Sequence, residues 1–325
     1  MINSLLPEKY IMVVSFLAAF VLNTLSICLF RKKLPRDMGR AFAVNGNQSK
    51  GKERGAGIIL IIVYALCSLL FNEINLEDTA YIVLMVAVML TGFFDDASKK
   101  PWGNMIKGIL DTCIAAGTAF IYLSYNDNTI NLPFTSTMLS IPVPLFFILI
   151  VAFIFVSINV VNCSDGVDGL CTSLSLAGLM SFLCASGLTK NEKNDVVIFA
   201  AVLISYLWFN IKPSSMLMGD AGSRSIGLYL AILALRSKNP LLYIPFVFVM
   251  IVDGGLGLIK LSVLRLEKKF LKLENPSFMK NIRTPLHDHV RKNLPEEKRW
   301  SDTQVTGRFL LIQIIISAVT AGLLL

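Results

Sequence analysis

Apolar runs separated by short polar breaks occupy almost the whole chain. Tyr10 to Phe30 and Leu145 to Val161 each approach the roughly 20 apolar residues needed to cross a hydrocarbon core. The pattern predicts about ten such spans, roughly at 9–30, 57–71, 78–94, 104–124, 142–161, 169–188, 194–210, 222–236, 240–264 and 307–325. Backbone in lipid has to satisfy its own hydrogen bonds, so the runs are read as helices. The expected fold is therefore all-α, a polytopic membrane protein whose residues 1–325 form one integral unit.

Composition supports the same reading: 54% of the residues are hydrophobic and 16% charged, against about 25% charged in an ordinary soluble domain. The net charge of +8 is not spread in the manner of a nucleic-acid-binding surface. Arg31, Lys32, Lys33, Arg36, Arg40, Lys50, Lys52 and Arg54 fill the first connection, and 265–306 forms a second basic connection. The connections at 72–77 and 126–140 contain no Lys or Arg. Basic loops stay on the cytoplasmic side, so the odd connections are expected inside and both termini outside. The first apolar run lacks a basic leader and a small-residue cleavage site, so it is read as a retained span. The six cysteines lie in or beside apolar runs without CxxC spacing and are read as small buried hydrophobes.

The candidate chemistry lies where apolar runs end. Asp95 and Asp96 close the third run, Asp165 and Asp168 follow the fifth, and Asp220 precedes the eighth. Acids at membrane level are costly unless they pair, meet water or bind a cation. Adjacent carboxylates such as Asp95 and Asp96 repel, which favours a divalent cation or one raised pKa. Lys99 and Lys100 follow at once and suit a diphosphate. Asn159, Asn162, Asp165 and Asp168 recur every three residues, so a helical path places Asn162, Asp165 and Asp168 on one face. Gly219 and Gly222 flank Asp220 in a small-residue loop, with Asn210 ten residues before it. The two histidines of the chain, His287 and His289, surround Asp288 after Pro285, and in an extended segment both would point the same way. By the loop charges these groups share the cytoplasmic face, which suggests an acidic, metal-binding cleft there. A cation-coupled transporter is the alternative of a different class. It predicts acids spread through the membrane depth, where Asp253 is the main candidate.

With these motifs in order, the sequence resembles the polyprenyl-phosphate N-acetylhexosamine-1-phosphate transferases. The resemblance runs through Arg36 to Gly39, Gly92 to Lys99, Asn159 to Leu170, Asn210 with Met218 to Gly222, and Pro285 to His289, and so covers nearly the whole chain. The tail from Arg299 to Phe309 is similar to the branch that uses UDP-MurNAc-pentapeptide rather than the branch using N-acetylglucosamine nucleotides. The resemblance implies transfer of a sugar phosphate to undecaprenyl phosphate with release of UMP, dependent on Mg2+, in a bacterial plasma membrane and with membrane lipid as surroundings. It leaves a homodimer open and implies no nucleic-acid partner. It further implies Asp220 as the magnesium ligand, Asp95 as base on the lipid phosphate, and Asp96, His287 and His289 as further catalytic groups. Substrate contacts are implied for Lys99, Lys107, Asn162, Asp165, Asp168, Asn210 and Asp288. Two departures stand out. The family's three consecutive histidines are here His287, Asp288 and His289, and its Gly-Thr-Pro-Thr-Met-Gly-Gly loop is here the charged segment Gly51 to Gly57.

Overall fold

The computed structural model describes residues 7–39, 49–98, 100–135, 137–184, 187–270 and 278–324. Lys99 and Arg40 lie outside the described residues. The main helices, in chain order, are α1 (Glu8–Phe30), α2 (Gly57–Phe71), α3 (Leu76–Ala97), α4 (Asn104–Tyr125), α5 (Val143–Cys163), α6 (Leu170–Cys184), α7 (Lys190–Asn210) and α8 (Gly219–Arg236). They are followed by α9 (Tyr243–Phe246), α10 (Phe248–Lys269), the single turn α11 (Leu286–Asp288) and α12 (Asp302–Leu324). A two-stranded antiparallel hairpin, β1 (Thr129–Asn131) with β2 (Met138–Ser140), connects α4 to α5.

Each predicted apolar run overlaps helix, although 169–188 runs past the end of α6 and 240–264 is divided. Among the described residues, five helices are long and apolar enough to cross a membrane, or six if the bent pair of α9 and α10 is one span. The helices α2 and α6 are shorter, and α7 and α8 begin with polar and charged residues. Apolar side chains such as Val13, Leu17 and Val21 on α1, and Leu311, Ile315 and Val319 on α12, face outward. A bundle in lipid presents such a surface, because lipid tails solvate it as well as a core would.

At the centre stands α8, buried without interruption from Gly219 to Leu235 and packed against α2, α3, α5 and α6. Close approach needs small residues at the crossings. A side chain at Gly92 of α3 would collide with the backbone of Asp220 and Ala221, so that glycine lets the acidic end of α3 reach the start of α8. The two helices run antiparallel: Arg236 at the end of α8 meets Asp78 at the start of α3 (2.6 Å). The start of α3 is secured by a capping box between Asn75 and Asp78.

The ninth predicted run is not continuous, because α9 and α10 meet at 91°. Pro245 carries no N–H to extend a helix, and Val247 leaves helical geometry at φ −125°. Gln313 of α12 supplies the missing partners: its Nε2 donates to Pro245 O (2.9 Å) and its Oε1 accepts the Val249 N–H (2.9 Å). A break at membrane depth is tolerated where protein groups re-satisfy the backbone in this way.

Candidate active site

The C-terminal turn of α3 and the N-terminal turn of α8 bring three carboxylates together. Asp95, Asp96 and Asp220 each offer an oxygen within 4.8 Å of the others. Each is held by named donors. The Asp95 Oδ1 accepts the Trp102 N–H (2.6 Å), and its Oδ2 faces Lys107 Nζ (2.6 Å). Lys107 also donates to Asp220 Oδ2 (2.9 Å). The Asp96 Oδ2 accepts the Ala221 N–H (3.2 Å). Gly219 has φ +73°, and a Cβ there would strike the Asp96 carboxylate, so glycine is needed both for the turn and for the approach.

Hard oxygen donors converging from two helices suit a hard divalent cation such as Mg2+, which is commonly held by one or two carboxylates plus phosphate oxygens and water. On donor chemistry the triad fits that ion.

The loop before α2 closes the other side. Arg54 Nε donates to Asp96 Oδ1 (2.7 Å), Nη1 to Asp37 Oδ1 (3.0 Å) and Nη2 to Asp220 Oδ1 (3.5 Å). Burial disfavours the Asp37 charge, yet hydrogen bonds from Ser49 and Arg54 hold its carboxyl below the ordinary value. Burial likewise disfavours the Arg54 charge, but Asp96 and Asp220 outweigh it and raise its pKa further. Lys52 donates to Ser214 Oγ (2.8 Å), and Ser214 donates to Asp168 Oδ1 (2.8 Å). The resemblance already marked 36–39 as a motif and Lys52 and Arg54 as charges in place of neutral donor contacts, but it gave Asp37 no role and did not join Arg54 to the acids. The available signal was two cations inside a glycine-rich segment directly before a span.

The second acidic string departs from the expected geometry. Helix α5 ends at Cys163, so Asn162, Asp165 and Asp168 do not continue along one helical face. The glycines at 166 and 169 favour a turn instead. Asn162 accepts from Ser223 Oγ (2.7 Å), which ties it to the first turn of α8. Asp165 is partly exposed on the turn, and Asp168 faces Ser214 and Lys52. Asn210 is buried, accepts the Gly169 N–H (3.0 Å) and donates to Met216 O (3.1 Å). It braces the two loops around the site.

The histidines also differ from expectation. Pro285 leads into helical turns over 286–293 rather than an extended segment, so His287 and His289 do not point the same way. His287 is buried: its N–H and Nδ1 both meet the Asp253 carboxylate, each at 2.8 Å, and its Nε2 faces Gly166, where a Cβ would collide with the ring. Asp253 thus fixes the ring orientation, as an acid beside an imidazole commonly does. His289 Nδ1 accepts the Arg283 N–H (3.2 Å). Asp288 meets Arg291 (3.2 Å) and Arg283 (3.7 Å), and Arg291 continues to Asp302 (2.8 Å). The carboxylate that replaces a histidine in the family pattern is therefore part of an ion-pair chain anchoring the 278–302 segment. As the deep acid, Asp253 serves this histidine rather than forming a chain of acids through the membrane.

Three crowded carboxylates held by fixed cations at the end of a bundle of apolar helices suit a class of protein: membrane-embedded enzymes acting on phosphorylated substrates. Residues 79–238 match the family described as glycosyl transferase family 4. A phospho-N-acetylmuramoyl-pentapeptide-transferase of Treponema pallidum is 35% identical over 90% of this chain and 83% of its own. The enzymes of the same name from Wolbachia pipientis and Clostridium perfringens are each 28% identical, over 96% and 97% of this chain and 97% and 96% of theirs. The chain belongs to the phospho-N-acetylmuramoyl-pentapeptide-transferase family.

Proposed function

We propose that this chain transfers phospho-N-acetylmuramoyl-pentapeptide from UDP-MurNAc-pentapeptide to undecaprenyl phosphate, forming lipid I and releasing UMP for peptidoglycan synthesis. The near full-length match to transferases of that name carries the reading. The acidic triad supplies a matching chemistry.

An oxygen of the acceptor phosphate attacks the donor phosphorus that bears the sugar. The bond from that phosphorus to the bridging oxygen breaks, and its electron pair leaves on UMP. Phosphoryl transfer depends mostly on positioning and charge neutralisation. Bound Mg2+, held by Asp220 with Asp95 or Asp96 beside it, would neutralise charge on the diphosphate. Asp95, fixed by Trp102 and Lys107, is the base for an acceptor phosphate that arrives protonated. Lys107 lies between Asp95 and Asp220, where it can exchange a carboxylate contact for a phosphate oxygen. His287, whose Nδ1–H is taken by Asp253, presents Nε2 beside the Asp165–Gly166 turn, where the neutral ring accepts from a substrate hydroxyl or N–H. Asn162, Asp165 and Asp168 belong to the loop that would contact the nucleotide, with Asn210 supporting it from behind.

The basic connections 31–54 and 265–306 support a site on the cytoplasmic side of a bacterial plasma membrane, and with the ten crossings read from the apolar runs both termini would lie outside. The deciding experiment offers the purified protein UDP-MurNAc-pentapeptide or UDP-N-acetylglucosamine, each with undecaprenyl phosphate and Mg2+, and measures UMP. Release is expected with the muramoyl donor. Release with the glucosamine donor alone would overturn the assignment.

A further inference from the structure

All six carboxylate oxygens of the triad already face a donor. Asp95 uses Trp102 N–H and Lys107, Asp96 uses Arg54 and Ala221 N–H, and Asp220 uses Arg54 and Lys107. Arg54 also holds Asp37, so one guanidinium joins acids from the first connection, α3 and α8. Its side chain is only 15% exposed, and its backbone is equally constrained. The Arg54 N–H donates to Pro35 O (2.8 Å). On either side, Leu217 N–H donates to Glu53 O (2.7 Å) and Ala56 N–H to Leu217 O (3.2 Å), stitching the loop to the strand of chain that leads into Asp220. A surface arginine sampling passing acids has no such frame. The planar fork of Arg, charged at any accessible pH, makes it a permanent cation in this position.

We propose that Arg54 is a resident counter-cation that sets the divalent-metal affinity of the triad and limits it to one ion. The inference rests on the metal-binding reading of the triad. Among the described residues, four carboxylates, Asp37, Asp95, Asp96 and Asp220, face two fixed cations, Arg54 and Lys107. When all are ionised two negative charges remain, which one divalent ion balances. Each carboxylate oxygen has a further lone pair, so an ion can be shared without expelling Arg54, but it meets a cluster whose attraction has been reduced. Removing Arg54 makes that balance one charge more negative and takes a donor from both Asp96 and Asp220. Ion binding then strengthens, and room for a second ion appears.

The test titrates the full-length chain in detergent with Mn2+, without substrates, and reads bound ion by electron paramagnetic resonance. Arg54→Gln and Arg54→Met are expected to bind Mn2+ at least about tenfold more tightly than wild type, or to take a second ion. Arg54→Lys keeps the charge and should stay within about threefold. Unchanged or weaker binding in Gln and Met variants that keep the wild-type elution volume and melting temperature overturns the proposal alone. Equal tightening by Arg54→Lys also overturns it, because packing rather than charge would then control the ion. Absence of Mn2+ binding in wild type and variants alike overturns the metal reading with it, whereas UMP release tests the transferase reading separately.

Discussion

The helices α3 and α8 carry a buried acidic cluster at each end, roughly 25 Å apart by helical rise over their length, and the two clusters are built in opposite ways. At the far end, Asp195 of α7 accepts from Tyr64 Oη (2.8 Å), Ser68 Oγ (2.6 Å), Asn72 Nδ2 (3.0 Å) and Tyr229 Oη (2.9 Å). Beside it, Arg236 bridges Asp78 and Glu192, each at 2.6 Å. The adjoining cavity holds only about 40 Å³, space for water rather than a substrate. Every acid there is answered mainly by neutral donors and a single arginine. At the near end three carboxylates crowd within 4.8 Å and are answered mainly by cations. Burying an acid costs the same at either end. Saturating one carboxylate with hydroxyls stabilises a fold, whereas crowding several makes a place for a cation.

Removing the most exposed difference between the ends should have the largest effect. Asp220→Asn keeps the size of the side chain but takes a charge from the triad. UMP release is expected to fall by about 10³-fold or more, roughly 4 kcal/mol of lost transition-state stabilisation, with the melting temperature in detergent little changed. Full turnover in this variant would remove the triad from the chemistry and leave the two ends functionally alike.

A second, smaller effect is expected at Asp253, which positions His287 rather than touching substrate. Asp253→Asn turns an acceptor beside Nδ1 into an amide that can favour the other tautomer. The kcat for UMP release should fall about 10–100-fold, less than the roughly 10²–10⁴-fold of losing a general acid–base group outright because the imidazole remains, while KM for the donor changes little. An unchanged kcat would show that His287 is held only for packing.

The sequence made the architecture legible because hydropathy acts over whole helices. The run 57–71 coincides with α2, and 104–124 falls one residue short of α4. The bend between α9 and α10 escaped because Pro245 and Val247 sit within an apolar window that averages over them. Its trace was Gln313, a lone amide in the last span. Asp95, Asp96 and Asp220 were legible because each ends or begins a span. Arg54 was legible only as a departure from the family loop, because its contacts with Asp37, Asp96 and Asp220 join segments far apart in the chain. The pairing of His287 with Asp253 joins residues 34 apart, a contact set by how α10 and the following connection pack, and no local periodicity encodes it.

At the far end the expected effects move from catalysis to stability. Asp195→Ala strands four donors in a buried site. Each unsatisfied buried group costs about 1–3 kcal/mol, but the hydroxyls can turn to one another or to water, so a loss near 3 kcal/mol is expected, seen as a lower melting temperature. The rate of UMP release per folded molecule should match wild type. A catalytic defect in the folded fraction would show that the two ends communicate through α3 and α8.

The finest comparison sets one arginine against the other. Arg236→Gln removes the bridge between Asp78 and Glu192, yet both acids keep other partners. Asp78 Oδ2 still accepts the Asn75 N–H (3.3 Å), and Glu192 Oε2 still accepts the Thr189 N–H (2.6 Å) and hydroxyl (2.8 Å). Those capping contacts limit the damage to about 1 kcal/mol, with catalysis and Mn2+ binding unaltered. Arg54 leaves its acids similar reserves, the Ala221 N–H on Asp96, Lys107 on Asp220 and the Ser49 hydroxyl on Asp37, but Asp96 and Asp220 belong to the crowded triad. Its loss should therefore appear in ion binding while the melting temperature holds. Measuring both variants by both methods separates a guanidinium that fastens helix ends from one that governs charge in a site. An equal Mn2+ response from the two would mean that net charge of the bundle, not the position of Arg54, controls the ion.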